Sequence, residues 1–473
     1  MGALSSTARN AKLVSFASLP EEGANRTEVL LRLLDRYDRS GRAITVNFRR
    51  LVDWIPSGER ATHYLHPYPA KLLPHIPAFF LANSVLSEPG DTVLDPFCGS
   101  GTVLLESILH SREALGADSN PLARLIARTK VAGQAPELLR EHTRTLLRRA
   151  RSYRTAKTPE VVNIEHWFYP HVIEQLSRIR RAVESIETPA VGDFFRVCMS
   201  VCLRRVSRAD PRLSVPVRLQ ENQYPIGHAF RESANARMRR LRRQNVFAEF
   251  GRVVEANIDR VEAFRGLRTS SASASLAGVD ARRLCDPHKS QKLRGGSVDL
   301  IITSPPYAGA QKYIRASSLS IGWLDLANGD SLRQLEDQNI GREHFTTGGV
   351  FKLPKTGIRA ADQQLSAIAE RNPLRALIAA TYLNEMGEAL AESARVLKPG
   401  GHIVLVAANN RVCGQDFYTQ RYLQTMLERL GFAVRLRLID TIKSRGLMTR
   451  RNTSAGVIAR EWALLLQKPR RVG

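Results

Sequence analysis

Residues 91–118 constrain the fold more than any other stretch. "DTVLDPFCGSGT" is a short apolar run that ends in a glycine-bearing turn, "VLLESILHS" has helical spacing, and "EALGADSN" is a second short run ending on Asp118. Two strands joined through a helix cannot form a hairpin. They must lie parallel, with the helix crossing over the sheet. The unit therefore predicts the start of a parallel α/β sheet.

The alternation then breaks. Residues 121–270 read as largely helical, with Val172, Ile173, Leu176, Ile179 and Val183 on one face of "HVIEQLSRIRRAV". "RMRRLRR" (237–243) carries five arginines in seven residues, and "TSSASASLAG" reads as a linker. Alternation resumes near residue 275. "SVDLIITSPPY" is a strand followed by a polar segment, and "YLNEMGEALAESARVL" is a helix closed by the turn "KPGG". "HIVLVAAN" is an apolar strand and "QRYLQTMLERLGF" a helix; "AVRLRLIDTI" and "REWALLLQKP" make a closing antiparallel pair. The expected division is an N-terminal arm (1–60) holding one helix around "TEVLLRLLDRYDR", and a catalytic α/β domain (61–130 plus 275–473). A basic helical insertion (131–274) splits that domain, and a second insertion (310–380) has no assigned role.

The charge balance narrows the partner. Seventy Lys and Arg against forty-five Asp and Glu leave a formal charge of +25 over 473 residues. A polyanion is the simplest partner for such a chain, and nucleic acid is the commonest polyanion. The five cysteines are sparse and odd in number, so they do not read as a disulfide framework. Cys198 and Cys202 lack a second pair at ligand spacing and read as core residues, so no metal is expected. No apolar run reaches the length of a membrane span, and "MGALSSTARNAK" has no apolar signal core. A reducing cytoplasm is the expectation, with no membrane partner.

Two stretches carry chemistry. In "VLDPFCGSGT", Gly99 and Gly101 stand where a strand turns into a helix, so a ligand can approach the main chain closely. The phosphate-loop and dinucleotide-loop glycine patterns are both absent. Asp118, at the end of the neighbouring strand, is placed to accept hydrogen bonds from ribose hydroxyls. In "IITSPPYAG" (301–309), an apolar strand stops at Ser304, Pro305, Pro306 and Tyr307. The Ser304 hydroxyl and the Pro305 carbonyl are two acceptors held rigid by proline, suited to an amine-bearing base, and Tyr307 offers a ring face for stacking.

Together these motifs resemble the S-adenosylmethionine-dependent DNA amino-methyltransferases, in particular the N4-cytosine type. "DPFCGSGT" is similar to their cofactor loop and "TSPPY" to their catalytic tetrad with serine first; "HPYPAKLLPHIP" (66–77), "GADSNPLA" and "GVDARRL" resemble flanking segments. The resemblance runs discontinuously over about residues 61–470, with the cofactor loop preceding the tetrad. It implies a seven-stranded Rossmann-like class I methyltransferase sheet and S-adenosylmethionine as cofactor. It further implies a cofactor site of Tyr68, Lys71, Asp95, Pro96, Phe97, Gly99, Ser100, Gly101, Thr102, Asp118, Ser119, Asp280 and Ala281. The catalytic residues would be Ser304, Pro305, Pro306 and Tyr307. Arg237, Arg239, Arg240, Arg242 and Arg243 would bind DNA.

The implied reaction is methyl transfer to the N4 amine of a cytosine flipped out of duplex DNA. Cytosine C5 chemistry would need a Pro-Cys dipeptide, which the chain lacks, and the zinc-deaminase pattern is absent too. Alternatives are adenine N6 in DNA, an exocyclic amine in RNA, and a non-catalytic DNA-binding subunit. The recognition sequence, the oligomeric state, and a cognate restriction enzyme or defence-system partner are left open.

Overall fold

The computed structural model describes residues 26–55, 60–69, 71–289, 291–309, 313–343, 345, 352–441 and 460–470. The start of the arm, residues 1–25, lies outside them. The chain opens with α1 (Arg26–Ser40), β1 (Ile44–Val46), α2 (Phe48–Leu51) and α3 (His75–Leu81). The strand–turn–helix–strand unit follows as β2 (Thr92–Asp95), α4 (Thr102–Leu109) and β3 (Glu113–Gly116).

The helical stretch comprises α5 (Pro121–Ala132), α6 (Pro136–Ser152), α7 (Ile164–Trp167), α8 (Pro170–Glu184), α9 (Pro189–Val206), α10 (Arg231–Leu241) and α11 (Val246–Leu267). The sheet resumes with β4 (Ala274–Leu276) and β5 (Val298–Thr303). Three helices fill the polar segment, α12 (Tyr313–Trp323), α13 (Leu332–Asp337) and α14 (Arg359–Arg371). The remainder is α15 (Pro373–Val396), β6 (Leu397–Ala407), the hairpin β7 (Asn410–Val412) and β8 (Gln415–Phe417), α16 (Thr419–Arg429), β9 (Ala433–Thr441) and β10 (Arg460–Gln467).

The main sheet has the order β1-β9-β10-β6-β5-β2-β3-β4. All neighbours are parallel except β10, which runs antiparallel between β6 and β9. The closing pair is therefore antiparallel, as its pattern indicates. The strand order reverses at β2 and β5, so the crevice of an open α/β sheet falls outside the carboxyl ends of these two strands. Both motifs sit there.

The strand count differs from expectation. Among the described residues the sheet has eight strands, because Ile44–Val46 pairs in parallel with Leu438–Asp440 and extends the edge. The described part of the arm is no irregular appendage. Leu30, Leu33 and Phe48 share a core with Phe79, Phe80, Val93 and Leu300. A strand of three residues is too short to show a period in sequence, and it holds only because β9 supplies its ladder. "KPGG" differs as well. Pro399, Gly400 and Gly401 lie inside β6, where the register against β5 shifts.

The helical insertion has its own core, in which Leu139, Leu146, Val172, Leu176, Phe194, Phe195, Phe250 and Ile258 are fully buried or nearly so. Cys198 and Cys202 are buried in it, with free thiols. Leu319 and Trp323 of α12 enter the same core, so the segment after the tetrad is pinned to the insertion. Among the described residues no helix is long and apolar enough to cross a membrane.

Candidate active site

β2 ends on Asp95, and the chain turns through Pro96–Gly101 into α4. Gly99 and Gly101 take positive φ of +49° and +78°. A Cβ on Gly101 would lie 3.0 Å from the Ala127 backbone, so glycine lets α4 start hard against α5. Asp118 ties this turn to β3, since one carboxylate oxygen accepts from Gly99 N (2.9 Å) and the other from Asn120 N (2.8 Å). Burial raises its pKa, opposed by those two N–H groups and Arg124.

Asp95 performs a different task. It is buried, and Thr303 Oγ1 and Phe97 N both donate to its Oδ1, at 2.7 and 3.0 Å. Thr303 directly precedes Ser304, so this bond ties the glycine turn to the proline corner. Burial pushes the Asp95 carboxyl up to about 7 in spite of both donors.

One cleft, partly open to solvent, collects most of the expected residues. It is lined by Tyr68, Pro96, Phe97, Gly99, Asp118, Ser119, Asp280 and Ala281 together with Ser304 and Pro306. Pro305 is buried, and the Tyr307 hydroxyl points to Glu461, 3.5 Å away. Burial and the neighbouring Asp440 raise the Glu461 pKa, against the pull of Tyr307 and Arg49.

Five expected cofactor residues are not on the cleft wall. Asp95, Ser100 and Thr102 are buried beneath it, and Gly101 is the N-cap of α4. Lys71 is turned away, because its ammonium donates to the carbonyls of His63 (3.1 Å) and His66 (2.6 Å). A flexible cation beside two carbonyls satisfies them first. Lys71 thus braces the segment that carries Tyr68.

That segment is anchored from below. Glu106 of α4 is fully buried and accepts from His63 Nε2 (2.7 Å) and from Arg60 (3.2 Å). Burial raises the Glu106 pKa, but His63 and Arg60 outweigh burial and hold it below the usual range. Burial brings His63 down to about 4, so the imidazole donates to Glu106 as a neutral ring. Asn120 Nδ2 then donates to the Tyr68 hydroxyl (3.0 Å) and to Ser317 of α12 (3.1 Å).

The front wall comes from residues that sequence reasoning did not single out: Val279, Tyr313, Gln338, Asn339 and Ile340. Ser119 Oγ donates to Asn339 (2.5 Å), and Gly309 N to Gly341 O (3.2 Å). A Cβ on Gly341 would stand 2.8 Å from the Tyr307 carbonyl. The glycine in "QNIGREHF" was the available signal for this close approach. Val279 lies within "GVDARRL", beside Asp280, and Tyr313, Gln338, Asn339 and Ile340 come from the 310–380 segment. Glu461 likewise shows only as the start of the last strand.

The arginine run does not act as one block. Arg239, Arg240, Arg242 and Arg243 are exposed. Arg237 is turned inward, and its guanidinium donates to the carbonyls of Arg205 (3.2 Å) and Ser207 (2.9 Å) at the C-terminus of α9. Burial lowers its pKa to about 10. Arg237 therefore belongs to the fold of the insertion, because helix-end carbonyls without a partner are costly to bury.

A family model described as DNA methylase (N6_N4_Mtase) matches residues 63–128, the span from the Tyr68 segment through the cofactor turn to Asp118 and α5. Over that span the chain is similar to the S-adenosylmethionine-dependent DNA amino-methyltransferases. A curated relative, the type II methyltransferase M.MvaI of Kocuria varians, is 24% identical over 398 residues, covering 79% of this methyltransferase and 83% of the relative. The type II methyltransferase M.MjaII of Methanocaldococcus jannaschii is 35% identical over 81 residues, 17% of this chain and 15% of that one. Among solved structures, the rRNA methyltransferase aviRa from Streptomyces viridochromogenes covers 89% of this methyltransferase and 96% of its own chain. Its TM-score is 0.32 at 12% identity, too low to add to the fold described above.

The cleft suits the cofactor of this family. It offers carboxylates at two strand ends for hydroxyl or amine donors, the Phe97 ring and Pro96 for an apolar face, and exposed backbone at Gly99. Asp280 is drawn toward Arg282, which donates to it at 2.9 Å.

Proposed function

We propose that this DNA N-methyltransferase modifies the N4 amine of cytosine in duplex DNA. The observation that carries the reading is the corner itself. Ser304, rather than a carboxylate or an amide, stands first in the proline corner, and it opens into the cleft that holds Asp118 and Asp280. When bound there, S-adenosylmethionine supplies an electrophilic methyl group on its sulfonium.

The chain's own residues do the rest. Ser304 Oγ and the Pro305 carbonyl accept the two N–H bonds of the target amine. That favours a pyramidal nitrogen whose lone pair faces the cleft. The prolines hold both acceptors in place, so little ordering is left for the transition state. The Asp95–Thr303 bond keeps the corner in register with the cofactor turn. Tyr307 presents its ring to the base and Glu461 steadies its hydroxyl. No covalent nucleophile is needed. A base stacked in a duplex cannot reach this corner, so it is flipped out, while exposed arginines of the insertion hold phosphates. Asp118 would hold the ribose hydroxyls of the cofactor, and Asp280 would stand on the side of its adenine.

The relatives named as type II methyltransferases favour a place in restriction–modification, with a site-specific target. The test is nucleoside analysis of plasmid DNA from a host expressing the chain, beside one expressing Ser304→Ala. N4-methylcytosine in the first only is the expected result. N6-methyladenine would replace the base assignment, and no mark in either would overturn the activity.

A further inference from the structure

The connection between α9 and α10 is a braced loop that carries an apolar tip. Residues 207–230 fold back as a small ribbon in which Asp210 N donates to Val217 O (2.8 Å) and Leu219 N to Arg208 O (2.8 Å). Arg212 is fixed by a two-pronged pair with Asp210 at 2.9 and 2.5 Å. Its guanidinium lies 4.0 Å from the centre of the Phe230 ring. Tyr224 stacks on His228 with ring centres 4.6 Å apart and planes 18° from parallel.

These braces end in a tight turn, "YPIGH". His228 N donates to Pro225 O (3.2 Å) and Gly227, third in the turn, takes φ +84°, a conformation that favours glycine. The side chain that stands at the tip is Ile226, which is 90% exposed. Phe230 and Leu213 behind it are nearly half exposed. A stiffened loop that holds a large aliphatic side chain out in water forgoes the burial that drives folding. Such exposure points to a partner.

The surroundings identify the partner. Between residues 204 and 243 the chain has eleven arginines and only Asp210, Glu221 and Glu232 against them. The base of the loop also adjoins the cleft. Arg212 and Leu213 line a second cavity of about 1200 Å3, partly open to solvent, together with Tyr68. Tyr68 is at the same time a wall of the cofactor cleft. An apolar tip on an arginine-rich loop whose base shares the Tyr68 wall of the cleft has the make-up of the apolar side chains that enter DNA between base steps.

We propose that the 207–230 loop is a DNA wedge, with Ile226 entering the base stack beside the target and filling the space the flipped base leaves. This rests on the methylation reading above. The wedge stabilises the flipped state, so its loss matters most where flipping is hardest.

The test uses the full chain with Ile226→Ala and Ile226→Ser, which touch only an exposed tip. Methyl transfer is measured on duplexes carrying the site found by plasmid analysis, with the target base either paired or mispaired. Loss of roughly tenfold on the paired duplex is expected, with near wild-type rates on the mispaired one, because a mispaired base costs little to unstack. Cofactor affinity and the salt slope of DNA binding stay unchanged. Equal losses on both duplexes, or none on either, overturn the wedge while leaving the methylation reading standing. Reduced binding of Ile226→Ala to anionic phosphatidylserine vesicles with unaltered methylation would overturn DNA as the partner. A wild-type chain that marks neither duplex overturns both readings.

Discussion

The cofactor cleft and the helical insertion are built on opposite plans. Around the cleft, polar bonds join residues far apart in sequence: Asp95 to Thr303, Ser119 to Asn339, and Asn120 to Tyr68 and Ser317. Each bond places a strand end or a loop against another. The insertion is held by apolar packing among helices that follow one another in the chain, and most of its arginines are left at the surface. One region uses its polar groups to fix internal geometry, while the other keeps its charge available to a partner. The two functions should therefore separate under mutation, with cofactor and chemistry failing on one side and DNA affinity on the other.

The largest effect should come from the corner. Tyr307→Ala is expected to lose roughly 5- to 150-fold in methyl transfer, since stacking of a base on an aromatic ring is worth about 1–3 kcal/mol. Its cofactor affinity should be unchanged by equilibrium binding. Tyr307→Phe keeps the ring face and should lose far less. Ser304→Ala should lower kcat more than it raises KM for DNA, because its hydrogen bond strengthens as the amine becomes pyramidal. Activity of both alanine variants that merely tracks the folded fraction in thermal melts would reduce the corner to a strand terminator.

Next in size is Asp118→Ala. Hydrogen bonds to a charged group are worth about 1.5–3 kcal/mol, so cofactor affinity should fall roughly tenfold to a hundredfold. DNA binding, read by filter retention or anisotropy, should persist. Parallel loss of both would mean that the bonds to Gly99 N and Asn120 N serve folding, and the separation of the two regions would fail.

The insertion offers the converse. Replacing Arg239, Arg240, Arg242 and Arg243 with glutamine should weaken binding to any DNA sequence and leave cofactor affinity alone. Every phosphate that is no longer neutralised should flatten the log–log salt dependence by about 0.9. An unchanged slope would mark this surface as a solvated helix face. Arg237→Gln should behave unlike its neighbours, lowering the melting temperature because the α9 carbonyls lose their donor.

The smallest effect concerns pH. Asp95 has a folded pKa near 7, above the ordinary 3.8, so its folded form holds a proton that the unfolded chain releases. Its contribution to stability is complete below about pH 4 and declines as pH rises through about 7. Asp95→Asn cannot ionise and keeps the Oδ1 acceptor for Thr303 and Phe97. Its melting temperature should fall less than that of the wild type between about pH 4 and about pH 8. Identical pH profiles would remove this carboxyl as a source of the dependence.

The parallel sheet, the turn at Gly99–Gly101 and the proline corner are legible in the chain's local pattern. Each is written locally, as a periodicity or as a residue with a restricted backbone. That pattern also marked the helical insertion, because an amphipathic repeat survives over many turns. Which residues face the cleft depends on long-range packing. Lys71 and Arg237 are cations in suggestive motifs, yet each is engaged by nearby carbonyls, and that choice depends on which carbonyls the fold leaves without partners. Tyr313, Gln338, Asn339 and Ile340 reach the cleft from a segment without sequence signature, carried there by α12 packing into the core of the insertion. β1 joined the sheet for the same reason: three residues form a strand when a neighbour's edge offers the hydrogen bonds, and that edge is set almost 400 residues later in the chain.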